Sequence, residues 1–245
     1  MQERTNDRSV MKTRWTELKQ TSTAADRKEP VPPMAKPAPA GAEPVQLPDP
    51  AETAIDTRPL NELMAARESR RKFSDEPLTL SELSFLLWAT QGVRKVGRKA
   101  SLRIVPSGGA RHPFETYLFV SRAEGLEQGL YRYLPFDHAL VKVAEMQDFD
   151  AELDRVMLKH QFGGAVTFVW TAIPYRSEWK YSFEASRLCL LDAGHLCQNL
   201  YLACEALGCG TCAVGAYDQE GLDAMLGVDG EDEFTVYAAP VGKQA

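Results

Sequence analysis

KYSFEASRLCLLDAGHLCQNLYLACEALGCGTCAVGAY, residues 180–217, is the stretch on which the fold turns. Its first part reads as one long helix. Ser182 is placed to cap the N-terminus, Glu184 falls in the first turn where the dipole favours an anion, and Gly208 suits the left-handed residue that ends a helix. At 1.5 Å per residue such a helix would be about 40 Å long, enough to cross a domain. Its charges are sparse (Glu184, Arg187, Asp192 and Glu205), and small residues such as Ala185, Cys189, Ala193, Gly194, Cys197 and Ala203 let other backbones approach. A core helix buried on most sides is expected, packed against other helices, with a subunit boundary as one place for that packing. Asp192, His195, Gln198 and Asn199 interrupt the apolar run too often for a bilayer span.

Outward from the helix, composition narrows the classes. A chain of 245 residues is long enough for one substantial domain. A net charge of −6 lacks the clustered Lys and Arg of a phosphate-backbone surface, which sets nucleic acid aside as a partner. The N-terminus MQERTNDRSV has no apolar core for a signal peptide, and the longest apolar run, 165–173, is only strand length. A cytoplasmic protein without membrane partners is expected. All five cysteines lie between Cys189 and Cys212, unlike a secreted disulfide framework. Cys209 and Cys212 form a CxxC without the second ligand pair of a structural zinc site, and they read as buried small hydrophobes.

Eight of the fifteen prolines fall between Pro30 and Pro50. Residues 1–50 therefore read as an extended or disordered arm, either a linker or a strap laid over the domain or a partner subunit. Residues 51–245 read as the folded domain. Thr57 and Pro59 open a short helix that runs into Arg67-Glu68-Ser69-Arg70-Arg71-Lys72. Those cations are either a solvated face or a pocket for a phosphate dianion, with Arg67 and Arg71 as bidentate donors and Ser69 as a third. Thr79-x-x-Glu82 is a capping box before an amphipathic helix that ends at Gly92.

Val93 to Ala100 is basic and reads as a mobile loop. The turn Pro106-Ser107-Gly108-Gly109 is either plain or a backbone wall against which a planar ligand could lie, since glycines remove the side chains that would collide. It delivers the chain into Phe114–Val120, apolar on both faces and so expected to be central. Residues 129–134 and 139–143 read as a hairpin, 148–160 as an exposed helix and 165–172 as a buried strand. Cys209–Gly215 reads as another buried strand, residues 218–227 as a short helix and 234–241 as the strand that closes the sheet. Of the histidines, His112 is near the turn and could line a pocket, His138 and His160 read as exposed, and His195 as a satisfied core histidine.

Four stretches in this order resemble the nitroreductase-like flavoproteins, and within them the SagB-type dehydrogenase branch: RESRRKFSDEPLTLSELSFLLWATQG (67–92), VPSGGARHPFETYLFV with GLYRY (105–133), KY with DAGHLCQNLYLACEALGCGT (180–211), and YAAPVGK (237–243). The resemblance implies an α+β fold with a mixed or antiparallel sheet flanked by helices, built as an intertwined homodimer with FMN at the subunit interface. It places the FMN phosphate at Arg67, Ser69 and Arg71, with Lys243 beside them. The ring would lie on Pro106, Ser107 and Gly108, with Arg111 where general nitroreductases favour Asn, and Gly215 or Ala216 would supply a backbone N–H to the N5 and O4 edge.

In the branch that oxidises azolines to azoles in ribosomal peptides, a Lys-Tyr pair matching Lys180-Tyr181 is associated with proton removal while hydride passes to the flavin. A lysine at a helix N-terminus would have its pKa lowered by the dipole, which suits a base. The bland reading leaves Lys180 exposed and Tyr181 packed at the helix start. Substrates would be a small molecule or a peptide, with biosynthetic partner proteins in the peptide case. An NAD(P)H-dependent nitro or quinone reductase, or a flavin-less scaffold, are the rival expectations.

Overall fold

The computed structural model describes residues 8–56, 58–146 and 148–245. In chain order its elements are α1 (Trp15–Leu18), β1 (Val45–Gln46), α2 (Leu60–Ala66), α3 (Leu80–Gln91), β2 (Val93–Val96), β3 (Ser101–Arg103), β4 (Phe114–Val120), β5 (Gly129–Leu134), β6 (Ala139–Ala144), α4 (Asp150–Val156), β7 (Val166–Ala172), α5 (Tyr175–Tyr181), α6 (Ala185–Ala206), β8 (Cys209–Thr211), α7 (Gln219–Leu226) and β9 (Phe234–Lys243). Seven strands form one antiparallel sheet in the order β1-β6-β5-β4-β7-β9-β8. The architecture is the expected α+β class, a sheet with helices on both faces.

Covered faces explain the unbroken apolar strands. β4 pairs with β7 from Phe114 against Ala172 to Val120 against Val166, and every residue of both strands is buried. Alternate side chains enter two cores. Leu118, Phe168 and Trp170 join α3 and α6 on one face, while Phe119 and Val169 join α4 and α7 on the other. A strand buried on both faces has no reason to alternate. The helix α3 begins as the capping box requires, Glu82 N–H donating to Thr79 Oγ1 at 3.2 Å and Thr79 N–H to Glu82 Oε2 at 2.8 Å. Its Leu83, Leu86 and Leu87 are fully buried, about 1.5–3 kcal/mol of transfer free energy each.

Several expectations need correction. The long helix does not start at Ser182. The chain runs α5 to Tyr181, turns at Ser182 with φ 45°, passes one 3-10 turn through Glu184 and starts α6 at Ala185. Its 22 residues span about 33 Å, and Gly208 does end it with φ 66°. One side packs into the core while Leu190, Leu191, Gly194, His195 and Gln198 stand exposed, so the helix is not buried on most sides within one chain. His195 is on this open strip rather than in the core. The basic loop after Gly92 is a hairpin, β2 with β3. The strand after Cys209 is only three residues, followed by a bridge from Val214 to Ala238. β9 does not close the sheet, because β8 pairs outside it. Thr57, expected to open α2, lies outside the described residues.

The described part of the arm is laid over the domain. β1 adds an edge strand to β6. Upstream of it, Lys36 is seated among buried charges: its N–H donates to Glu115 Oε1 at 2.8 Å, its ammonium reaches Glu233 and the Tyr117 hydroxyl, and Arg132 donates to the carbonyls of Lys36 and Pro37. Arg103 donates to Met34 O at 2.8 Å. Arg103, Arg132 and Glu115 are 2–3% exposed, so these arm carbonyls are acceptors that water does not replace. His138 is not exposed as expected: its ring links Tyr133 and Ser84, and Ser84 Oγ donates to Pro48 O at 2.6 Å. Among the described residues no helix is long and apolar enough to cross a membrane.

Candidate functional site

Two clusters of chemistry-bearing residues are held by α6, one near each end. Toward its N-terminal end, Asp192 reaches across to the glycine turn. The Ser107 hydroxyl donates to Asp192 Oδ2 at 2.6 Å, and the Gly108 N–H to the same carboxylate at 3.1 Å to Oδ1. Ser107 Oγ in turn accepts the His112 N–H at 2.9 Å. Burial is the main reason that the Asp192 carboxyl titrates above the usual range, opposed by these donors. The turn is thus a clamped piece of backbone. Pro106 is exposed and Ser107 and Gly108 are half-buried, with Leu188 beneath Gly108.

Gly109 brings the Lys-Tyr pair to this turn. It has φ 61°, and a Cβ added there would lie 2.1 Å from the Tyr181 hydroxyl and 3.1 Å from Lys180 Nζ. Only glycine fits both the conformation and the space. The structure therefore unites Gly109, Lys180 and Tyr181, three residues that the sequence separates by about seventy positions. The dipole argument for Lys180 fails, however. Lys180 is in the last turn of α5, at the carbonyl end, and not at a helix N-terminus. The arm closes the other side of the pair: the Trp15 and Tyr181 rings meet edge to face at 5.5 Å, and the Arg14 N–H donates to buried Glu184 at 2.8 Å. Arg111 is turned inward, its Nε donating to Arg176 O at 2.7 Å and its Nη1 to Lys99 O at 2.9 Å, so it supports the turn from behind. His112 is buried as well. Burial, then the charge of Arg103, takes its imidazole down to about 3.

Toward the C-terminal end, Tyr201 gathers the cationic loop. Its hydroxyl accepts the Ala213 N–H at 2.8 Å and lies 3.0 Å from Ser69 Oγ, while the Arg67 guanidinium sits 5.4 Å from its ring centroid. Arg70 is the loop's anchor, bonded to buried Glu205 and to Glu68, with its backbone N–H on Thr211 O. Gly210 leaves the room for it, since a Cβ there would meet Arg70 Cδ at 2.7 Å. Arg67 and Arg71 are different: among the described residues neither has a carboxylate partner, and Arg71 donates only to Ser69 O at 3.5 Å. Two uncompensated guanidinia flanking an exposed serine hydroxyl form a donor set that fits a phosphate dianion. Gly215 and Ala216 are exposed just beyond Ala213, with no hydrogen bond to their N–H groups among the described residues. Lys243 is placed nearby, where its carbonyl accepts the Ser74 N–H, but its ammonium is engaged by Glu82.

Asp192 and Tyr201 are nine residues apart on α6, two and a half turns. They stand about 14 Å apart along the axis and on opposite flanks, with the exposed strip between them. One chain therefore brings Arg67, Ser69, Arg71, Gly215 and Ala216 into one cluster and Pro106, Ser107, Gly108, Lys180 and Tyr181 into another, without joining the two. Sequence reasoning missed Asp192 and Tyr201 as builders of these clusters. The signal for Asp192 was an acid in an otherwise apolar run; Tyr201, at core spacing, gave none. Cys209 is buried in β8, which pushes its thiol up to about 12, far from the activated thiolate of a redox CxxC.

The chain is similar to known proteins. The nitroreductase family model matches residues 64–243. A protein of Methanocaldococcus jannaschii provisionally named nitroreductase MJ1384 is 32% identical over 202 residues, 82% of this chain and 96% of its own length. The trifolitoxin-processing protein TfxB of Rhizobium leguminosarum bv. trifolii is 36% identical over 115 residues, 43% of this chain and 30% of its own. In the solved E. coli microcin synthetase McbBCD complex with truncated pro-MccB17, one chain superposes with a TM-score of 0.62 at 20% identity, over 82% of this chain and 88% of that chain.

Proposed function

Because the chain belongs to the nitroreductase family, we propose that it is an FMN-dependent oxidoreductase of the SagB type, acting on azoline rings in a ribosomal peptide. The observation that carries the cofactor part is the pair of guanidinia, Arg67 and Arg71, that stand on either side of Ser69 with no carboxylate partner among the described residues. A structural loop would pair them, as it pairs Arg70 with Glu205. They would hold the phosphate, and the N–H groups of Gly215 and Ala216 are open to the ring edge. FMN, when bound, supplies two-electron exchange at its N5 position.

The separation of the two clusters supports a homodimer. A ligand that touches both needs the charged loop of one copy and the glycine turn of another, and the exposed strip Leu190, Leu191, Gly194 and Gln198 offers a face for that contact. Pro106, Ser107 and Gly108 would then be the wall for the ring, kept flat by Asp192. Lys180 and Tyr181 stand over Gly109, on the side of the wall where a substrate carbon would lie. Lys180 is exposed beside that position and, with Tyr181 held in place by Trp15, would assist removal of the proton from that carbon.

The peptide part rests on two named relatives, a toxin-processing protein and a microcin synthetase complex, which also favour partner proteins in the reaction. The visible spectrum of the purified protein tests the cofactor: a yellow protein that releases about one equivalent of FMN per chain on heating is expected, and a colourless protein that takes up no FMN would sink the proposal. An azoline oxidase should be inert without a cyclodehydratase and leader-bearing peptide. A general reductase would consume NAD(P)H with quinones or nitroaromatics unaided, and that outcome would favour the second reading. Lys180→Ala and Tyr181→Ala should abolish oxidation while FMN stays bound.

A further inference from the structure

We infer that Tyr201 is a positioning residue that fixes the Ser69 hydroxyl as a donor toward an anion, an inference that rests on the FMN reading above. The proton count at the Tyr201 oxygen decides the direction. That oxygen accepts the Ala213 N–H at 2.8 Å. It carries one proton of its own, and among the described residues the acceptor within reach is Ser69 Oγ at 3.0 Å. The phenol proton therefore goes to Ser69.

Ser69 then accepts one bond from behind and has its own proton unused. No other side-chain bond of Ser69 occurs among the described residues, and the residue is exposed between Arg67 and Arg71. A hydroxyl held in this state has its proton free to point outward as a donor. That is the role a phosphate oxygen requires, and one that a freely rotating serine fills only part of the time. Tyr201 also ties this donor to the segment leading to Gly215 through Ala213, so phosphate and ring contacts are set by one side chain of α6. Y201F keeps the ring under Arg67 and removes the hydroxyl, which ends the relay and also takes the acceptor from the Ala213 N–H, so the S69A background is what isolates the relay.

The test is a double-mutant cycle read by binding rather than turnover. Dissociation constants for FMN and for riboflavin, which lacks the phosphate, are measured by quenching of flavin fluorescence for wild type, Y201F, S69A and Y201F/S69A. Y201F is expected to weaken FMN about fivefold to tenfold and riboflavin less than about twofold. Adding Y201F to S69A should then change the FMN-to-riboflavin ratio no further. Equal weakening of both flavins by Y201F, an unchanged FMN affinity, or an undiminished effect in the S69A background would each overturn the relay. Wild-type protein that takes up neither flavin would instead overturn the cofactor reading, and this inference with it.

Discussion

The two ends of α6 hold similar groups in opposite states. At the Asp192 end the groups that clamp the turn already have protein partners: Ser107 and Gly108 donate to Asp192, and His112 donates to Ser107. At the Tyr201 end the cations next to Ser69 have no carboxylate partner among the described residues, although a neighbouring arginine of the same loop is paired. A closed end supplies shape, because satisfied donors fix a surface. An open end supplies charge, because unsatisfied donors wait for a ligand. Damage should therefore appear as lost stability at the first and as lost binding at the second.

The largest effect expected is at the closed end. Asp192→Ala strands the Gly108 N–H and the Ser107 hydroxyl in a half-buried place, and stability should fall by about 3 kcal/mol in urea unfolding. A loss below about 1 kcal/mol would show that the turn stands without its clamp. Gly109→Ala comes next, at about 2 kcal/mol, since alanine at φ 61° is strained and its methyl displaces the Tyr181 hydroxyl. The same substitution should abolish any activity that depends on Lys180 and Tyr181, while FMN binding persists.

A pH dependence follows from His112. Its folded value, about 3, lies below the unfolded value near 6.5. The unfolded chain thus binds the extra proton between those limits. Stability is full above pH 6.5 and falls as the pH drops toward 3, by at most about 1.4 kcal/mol per unit for this one group. His138, also lowered by burial, adds to the same window. Urea midpoints at pH 7, 6 and 5 should fall in that order, and His112→Asn should flatten the slope; an unchanged slope would place the acid sensitivity elsewhere. The smallest change in stability belongs to the open end. Arg71→Ala should leave stability within about 0.5 kcal/mol, yet weaken FMN at least about tenfold. A large loss of stability there would erase the contrast between the two ends.

Local rules carried the sequence reading where neighbours along the chain decide the structure. Thr79 and Glu82 form their capping box, Gly208 and Gly227 end helices in the left-handed region, and β4 and β7 are buried on both faces as their composition says. The misses are non-local. Ser182 looks like an N-cap, and only the arm residues Arg14 and Trp15, packed on Phe183 and Tyr181, reveal a left-handed turn between two helices. Residues 93–100 looked mobile because their hairpin partner is the short apolar-poor strand β3. The charged loop was legible as a candidate, since Arg-x-Ser-x-Arg is its own signal. The clamp on the glycine turn was not, because Asp192 is 85 positions from Ser107.

The arm's hold on the sheet bears on how this chain can vary. The family match begins at residue 64, so Lys36 lies outside it. Yet Arg132 and Arg103 on two different strands take their acceptors from Met34, Lys36 and Pro37. A truncation at the family boundary removes those carbonyls and leaves Arg132 only Glu115 and Arg103 only Gln91 and Ser101 as acceptors, at about 1–3 kcal/mol for each N–H group stranded. A recombinant fragment cut there would be the less stable protein, despite losing the part poorest in apolar residues. Because the acceptors are main-chain carbonyls, an exchanged arm must keep this path over the strands more than its side chains: a segment that composition marks as a spacer works as a piece of the core.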